Sequence, residues 1–571
     1  MHVWTGWEIR VLVLVSLLLQ VILVVFGSRR KLTTRIWIRI IVWAAYMSAD
    51  WVATVALGNL ATLGGYCGQK CLKPNDLLQS FWAPFLLLHL GGPDTITAYA
   101  LEDNELWLRH LLGLIVEVGV AFYVFLRSGG DTTLTFIAIP VFVAGIIKYG
   151  ERTWVLRSSS AKHFRSSLLS APDAGPDYVE FVENRDGNDR DPVALTVLPH
   201  EDVKPNDYLH QAGYLFKRFK YLFADLILGY YERTDCHSII SNKSSEEAFQ
   251  LVEVELSFLY DLLYTKAYFY SWFGILLRVI SFLASVSALV TFSILIFFKQ
   301  NGYSTADITI TYILLFGAVV MEVYALVILI YSDWTMLFLT RLGMGRSKQP
   351  TNVKRWPRII SQYNIMDVCL REAITPRWIG FQKFLGIYEI SEKMMNVTWQ
   401  PVAPSKLEDE TWQGVVPELK YLIFQQLKEK SKRIEDNLYD INLCKTLLIH
   451  RGDNVLKEIK CDKHLEWSTV GVEFDHSLLL WHIATELCYY DDLKRFNHPS
   501  IRKSSKNSKC LSDYMLYLLV MCPNMLPKGI GEIRYRDTCE EAVFLNERKR
   551  LARQLQALKP EGQSNWGCDE K

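Results

Sequence analysis

Little in this chain points to a soluble enzyme or to a nucleic-acid binder. Sixty-two Lys and Arg stand against 61 Asp and Glu, for a net charge of +1. That leaves no surplus of positive charge with which to hold a polyanion. Eleven cysteines are scattered over 571 residues, without the dense framework of a secreted disulfide scaffold. There is no Walker A loop, dinucleotide fingerprint, nucleophile elbow, kinase motif set or HExxH, so no phosphate cradle, activated serine or catalytic zinc is written into the chain. Cys444, His450, Cys461 and His464 fit no standard zinc finger, and His482 with Glu486 at i,i+4 reads as a structural pair rather than a metal site. The reading is of no metal, no cofactor and no nucleic-acid partner, and it leans away from an enzyme.

What the chain has is apolar sequence. Half the residues are hydrophobic and mean hydropathy is +0.10. This average mixes a greasy half with an ordinary soluble one. Apolar stretches over Ile9–Phe26, Ile36–Leu60, Leu77–Ala100, Leu106–Leu126, Thr133–Ile147, Val279–Phe298 and Ile308–Tyr331 give about seven expected membrane spans, the fifth being short for the purpose. The fold class expected is mainly α, a multi-pass helical membrane protein with a helical cytosolic C-terminal domain. Its blocks are 1–150 (first membrane block), 151–267 (linker and amphipathic helices), 268–335 (a membrane hairpin) and 348–571 (cytosolic domain).

Charge at the span ends sets the expected orientation. Arg29, Arg30, Lys31 and Arg35 follow the first span, and Lys148, Arg152, Arg157, Lys162 and Arg165 follow the fifth. Lys266 and Arg278 precede the hairpin, and Arg341, Arg346 and Lys348 follow it. Cytoplasmic loops carry such an excess, which puts the N-terminus outside and the C-terminus in the cytosol. The first positive charges come after the apolar run, as in an uncleaved anchor rather than a signal peptide. In this topology Cys67 and Cys71 lie in an outer loop, where an oxidising compartment would permit a disulfide. The sequons at Asn242 and Asn396 fall in the cytosol and stay bare.

The third apolar run breaks at Gly91-Gly92-Pro93. Proline removes a backbone donor and clashes with the preceding turn, and two glycines weaken the helix further. The freed backbone groups cannot face lipid and must face protein or a wet cavity. Asp94 is placed to cap a helix restarting there. Asp50, His89, Glu117 and Glu322 also sit inside apolar segments. An ionisable group at bilayer depth costs at least about 2.5 kcal/mol unless it finds a partner or water. With Asp94 these residues form a candidate intramembrane polar pathway, set against the alternative of interhelical hydrogen bonding.

Ser158–Asp207 is rich in Ser, Asp, Pro and Gly and reads as a linker. Tyr208–Gly229 and Glu246–Ala267 read as amphipathic helices, and the tail as helical, with helices expected over Leu419–Ile449, Asp475–Tyr490, Ser512–Met525 and 538–558.

The stretch FWAPFLLLHLGGPDTITAYALEDNELWLRH, with His89, Gly91, Gly92, Pro93, Asp94, Thr97, Ala98, Glu102–Trp107, resembles the signature of a plant membrane family, domain of unknown function 4220. ELSFLYDLLYTKA (Glu255–Ala267) is a second matching piece. LLLWHIATELCYY (Leu478–Tyr490) and LSDYMLYLLVMCPNMLP (Leu511–Pro527) resemble the associated domain of unknown function 594. The resemblance implies a membrane location and a plant source, and carries no activity. The functional expectation is a membrane-embedded scaffold or signalling component with cytosolic protein partners. A transporter or channel is the alternative, and a membrane-lipid enzyme built on His89, Asp94 and Glu102 comes third.

Overall fold

The structure, a computed structural model, describes residues 2–33, 36–62, 74–127, 132–168, 208–226, 228, 230–269, 272–298, 303–341, 355–356, 360–366, 409–435, 449–495, 498–526, 534–535 and 538. Cys67 and Cys71, most of the expected linker, Asn396, Cys444 and the helix expected beyond Thr538 lie outside the described residues. The chain divides into two units, Met1–Pro357 and Arg358–Lys571. Among the described residues both are helical, with no strand.

The first unit is a bundle beneath a smaller helical layer. Its bundle helices are α1 (His2–Gly27), α2 (Ile36–Thr62), α3 (Pro74–Ser80), α4 (Ala83–Leu90), α5 (Leu101–Glu105), α6 (Trp107–Arg127) and α7 (Thr132–Ser159). The layer comprises α8 (Ala161–Leu168), α9 (Tyr208–Phe223), α10 (Tyr230–Ser241) and α11 (Ser245–Tyr264). Two long helices, α12 (Trp272–Phe298) and α13 (Thr305–Ile330), complete the bundle, and α14 (Asp333–Arg341) returns to the layer. Six helices, α1, α2, α6, α7, α12 and α13, are long and apolar enough to cross a membrane. Their outer faces are greasy: Leu112, Ile115, Phe136, Leu283, Phe297 and Phe316 are each more than half exposed. A continuous apolar surface of this kind marks contact with something other than water.

The third apolar run is not one of the six. It becomes α3, α4, an irregular stretch over 91–100, and α5. Every residue of α4 is buried, so it stands inside the bundle as a core post. Trp82, just before α4, donates from Nε1 to Thr311 Oγ1 at 2.9 Å, and Phe81 stacks on Phe292. The run reaches from one end of the bundle to the other. Asn75 Oδ1 accepts from Ser304 N at the start of α13, while the carbonyl of Tyr99 accepts from Arg30, just past α1.

Three local expectations need correction. No helix restarts at Asp94, and Asp94 caps nothing: Thr97 N donates instead to the carbonyl of Tyr264 at 2.8 Å. The fifth run is not short. α7 continues through Lys148, Glu151 and Arg152 to Ser159, because each of these charges finds a partner inside the protein. The linker also starts later than composition suggests, since α8 occupies Ala161–Leu168, held by Phe164 and Leu168 in the core of the layer.

In the layer, Leu209, Leu215 and Phe216 of α9 meet Leu251, Phe258 and Leu262 of α11 and Leu337 of α14. The stripe therefore faces a protein core. Ser244 and Glu247 close a reciprocal capping box at the start of α11.

The second unit contains α15 (Asp409–Glu435), α16 (Asp453–Glu458), α17 (Asp462–Leu465), α18 (Phe474–Arg495) and α19 (Pro499–Met521). α18 and α19 pack through Leu478, Leu479, Leu516, Leu519 and Val520, with Tyr363 and Ile365 added from upstream. Both run longer than their apolar centres suggested. Pro499 at the first turn of α19 starts it early, where its missing N–H costs nothing.

Candidate functional site

The break in the third run is the seed of the site. α4 ends at Leu90, and the next two N–H groups close a tight turn, Gly91 N onto Leu87 O and Gly92 N onto His89 O. Gly92 has φ +64°, a conformation glycine adopts without strain. At Gly91 an added Cβ would lie 2.7 Å from Lys148 Cβ and 2.8 Å from the Lys148 carbonyl carbon, so glycine there lets α7 approach. The carbonyls of Leu90, Gly91 and Gly92 now lack a following helical turn to donate to them. Left bare at membrane depth, each would cost several kcal/mol.

Two cations take them. Arg152 Nη1 donates to Leu90 O at 2.8 Å. Lys266 Nζ donates to Gly91 O at 2.9 Å, Gly92 O at 3.3 Å and Lys148 O at 3.2 Å. Lys266 is fully buried and Arg152 only 4% exposed. Side-chain ammonium and guanidinium thus stand in for the missing amides.

Buried cations require anions beside them. Arg152 pairs with Asp50 at 2.6 Å. Asp94 takes a hydrogen-bonded ion pair from Arg278. Lys266 lies 3.9 Å from both Asp94 and Glu151. Lys148 pairs with Glu322 at 2.8 Å, and Ser281 Oγ donates to the same Glu322 oxygen at 2.7 Å. Four acids, Asp50, Asp94, Glu151 and Glu322, are matched by four bases, Lys148, Arg152, Lys266 and Arg278. The joint is neutral as a whole. It ties α2, α7, α12 and α13 to the discontinuous segment.

A second set of bonds anchors that segment to the helical layer. The last carbonyls of a helix have no intrahelical partner. Those of α11 at Leu262, Leu263 and Tyr264 accept from Ser159 Oγ, Asn104 Nδ2 and Thr97 N respectively. Lys266 N donates to Asp94 O at 3.2 Å. Thr97 and Asn104 are completely buried. The two stretches that carry the family resemblance in this unit, His89–Trp107 and Glu255–Ala267, are therefore one piece of structure. Nearby, Lys31 reaches Asp261 at 2.9 Å, and the Arg30 guanidinium lies over Tyr99, 4.0 Å from the ring centre.

Of the residues expected to form a polar pathway, Asp50, Asp94 and Glu322 meet in this joint, next to Gly91, Gly92 and Pro93. The other two stand apart. His89 shares a hydrogen bond with Ser16 Oγ at 2.9 Å, and Glu117 is bonded to Thr54. The trio His89, Asp94 and Glu102 is likewise dispersed, with Glu102 exposed at the start of α5. Sequence reasoning missed Lys148, Glu151, Arg152, Lys266 and Arg278 as site residues, reading the four cations only as markers of orientation. The signal was present: acids inside apolar runs call for cations of equal number, and these stand at the span ends. Arg10 and Asp307, at the other end of the bundle, were missed too. They form a two-pronged pair at 2.7 and 2.9 Å, and Asp307 is fully buried.

Elsewhere, burial pushes Glu255 in the layer up to about 8. In the second unit, burial and then the Lys509 ammonium bring His482 down to about 4. Its Nε2 accepts from Ile365 N at 3.4 Å and its Nδ1 meets Ser512 Oγ at 3.0 Å. Glu486 pairs with Lys509. Among the described residues no cluster of three or more His, Cys, Asp or Glu is placed to hold a metal.

The fold and site define a class: a mainly helical protein with six helices able to cross a membrane, arranged about a buried, discontinuous segment locked by ion pairs. Residues 43–369 match the family described as Domain of unknown function (DUF4220), and the chain belongs to that family. No curated protein and no solved structure matches it.

Proposed function

We propose that this is a membrane-embedded scaffold or signalling component. In this reading the discontinuous segment is a seventh crossing, the N-terminus faces outward, and the Arg358–Lys571 unit works in the cytosol as an interaction domain. The plant source and the domain of unknown function 594 character of the tail belong to the same proposal. One observation carries it: four acids and four bases around the break pair with one another and with its carbonyls. A neutral joint of this kind fixes the helical layer to the bundle.

The test removes the tail. Proteins that co-purify with the full-length chain from native membranes should be lost when residues from Lys348 onward are deleted. Partners retained by the truncated chain would count against the reading. A transporter or channel is the second reading, favoured by a small recess lined by Gln20, Pro93, Asp94, Lys148 and Tyr324. It requires a solute or ion flux in reconstituted vesicles that Asp94→Asn abolishes in a folded protein.

A further inference from the structure

The outward stripe of α7 ends on an arginine. Phe136, Ile139, Val143, Gly150 and Trp154 recur at spacings of three, four and seven residues, which places them on one side of the helix. Phe136 is 71% exposed, Ile139 44%, Val143 41% and Trp154 53%, and a Cβ at Gly150 would meet nothing within 4 Å. Arg157, also exposed, continues the stripe beyond Trp154. From Phe136 to Arg157 the helix rises about 30 Å, the thickness of a bilayer's hydrocarbon core. On a bundle that crosses a membrane, the guanidinium stands at headgroup depth.

Its neighbours hold it in one orientation. Arg157 Nε donates to His163 Nε2 at 3.3 Å. His163 Nδ1 meets Ser160 Oγ at 3.0 Å, and that hydroxyl donates to the Arg157 carbonyl at 2.7 Å. The Trp107 and Trp154 rings lie 5.3 and 5.9 Å from the guanidinium carbon, within range of cation–π attraction. Trp107 in turn meets the His163 ring edge-on at 5.4 Å. Among the described residues no carboxylate pairs with Arg157; Glu105 accepts instead from Ala161 N at 2.6 Å. The cations of the joint each have an acid, and Arg157 does not. Its two terminal nitrogens form the planar fork that fits two oxygens of a phosphate. Lys162 and Arg165 are exposed on α8, away from its buried Phe164 and Leu168, and raise the local positive potential.

We propose that Arg157 holds the phosphate of an anionic phospholipid whose acyl chains lie along the α7 stripe past Trp154. Charge selects the anion, since the guanidinium has no acid of its own. The stripe selects a lipid over a free phosphate, since an apolar track leads directly from the charge. The proposal rests on the bundle crossing a membrane. It is independent of the scaffold reading, because it concerns the border of the bundle and not what the tail recruits.

The experiment is native mass spectrometry of the full-length protein released from detergent. The protein is titrated with phosphatidylglycerol and with phosphatidylcholine of the same acyl chains. Phosphatidylglycerol should bind about tenfold more tightly. Arg157→Gln should remove one bound phosphatidylglycerol, and Arg109→Gln should not. Arg109 is exposed as well, but two residues past Trp107 it lies on the far side of α6, so it reports general attraction by positive charge. Glycerophosphoglycerol, the headgroup without its chains, should not displace the lipid at equal concentration. Equal binding of the two lipids, an unchanged count in Arg157→Gln, equal losses in both variants, or displacement by the free headgroup would overturn the proposal. Should Arg157→Gln fail to fold, the lipid comparison and the headgroup competition on the unaltered protein decide.

Discussion

The two ends of the bundle bury charge in different ways. Near the starts of α1 and α13, Arg10 and Asp307 form a single two-pronged pair. Towards the opposite end, Glu322 of α13 belongs to a joint of four acids and four bases that also carries the carbonyls of a broken helix. The lone pair fastens two neighbouring helices, and among the described residues no second ion pair backs it. In the joint most charges have more than one neighbour: Lys148 feels both Glu322 and Asp94. Losing an anion there leaves its cation partly compensated. Losing Lys266 is another matter, because it serves carbonyls as well as acids.

The comparison can be broken in order of expected effect. Lys266→Met should be the most damaging change, removing three hydrogen bonds and leaving the joint one positive charge short. A cost above about 5 kcal/mol is expected, read as loss of monodisperse protein in detergent. A stable Lys266→Met protein would show that the break does not need its cation. Asp307→Ala should cost about 3–5 kcal/mol, the usual penalty for orphaning a buried ion. Replacing both partners, Arg10→Met with Asp307→Leu, should recover most of that in thermal unfolding. Glu322→Gln should cost less than Asp307→Ala, about 1–3 kcal/mol, since Lys148 keeps Asp94 nearby. If the two acids cost the same, the idea of shared compensation fails.

Titration sharpens the contrast outside the bundle. Burial raises Glu255 from 4.5 to about 8, so the folded layer favours its neutral acid. Its contribution is full below the unfolded value and is lost as pH rises through about 8, by on the order of 5 kcal/mol. Glu255→Gln should remove that slope in pH-dependent thermal unfolding. His482 goes the other way, its value falling from 6.5 to about 4. Folding favours the neutral ring, so stability is full above pH 6.5 and declines as pH falls towards about 4, by on the order of 3 kcal/mol. Hydrogen exchange over Phe474–Arg495 should quicken across that window, and not in His482→Gln. The smallest effect belongs to the exposed pair Arg495–Asp491, where Asp491→Asn should change stability by less than about 0.5 kcal/mol.

Much of this was legible in the residues. Continuous apolar runs located α1, α2, α6, α12 and α13, because length and hydropathy are local properties. Gly91-Gly92-Pro93 located the break for the same reason. What resisted was everything settled by distant partners. The extension of α7 past Ile147 depends on Lys148 meeting Glu322 and Arg152 meeting Asp50, residues more than a hundred positions away. A hydropathy window sees those charges only as a reason to stop. Asp94 looked like a cap because a following turn was assumed; the chain instead runs irregularly to Leu101, with the Thr97 amide taken up by the end of α11 and those of Tyr99 and Ala100 by Asp103. The four cations of the joint were visible as orientation signals, and a single chain can use one residue in both ways.

If charge at membrane depth locks the broken segment, breaking the Lys148–Glu322 contact should loosen it. Thermal unfolding of the purified full-length protein should be measured for Lys148→Met, Glu322→Leu and the pair together. The account predicts that each single change lowers the midpoint and that the double change is milder than the sum of the two. Additive losses, or single changes that leave the midpoint where it was, would contradict it.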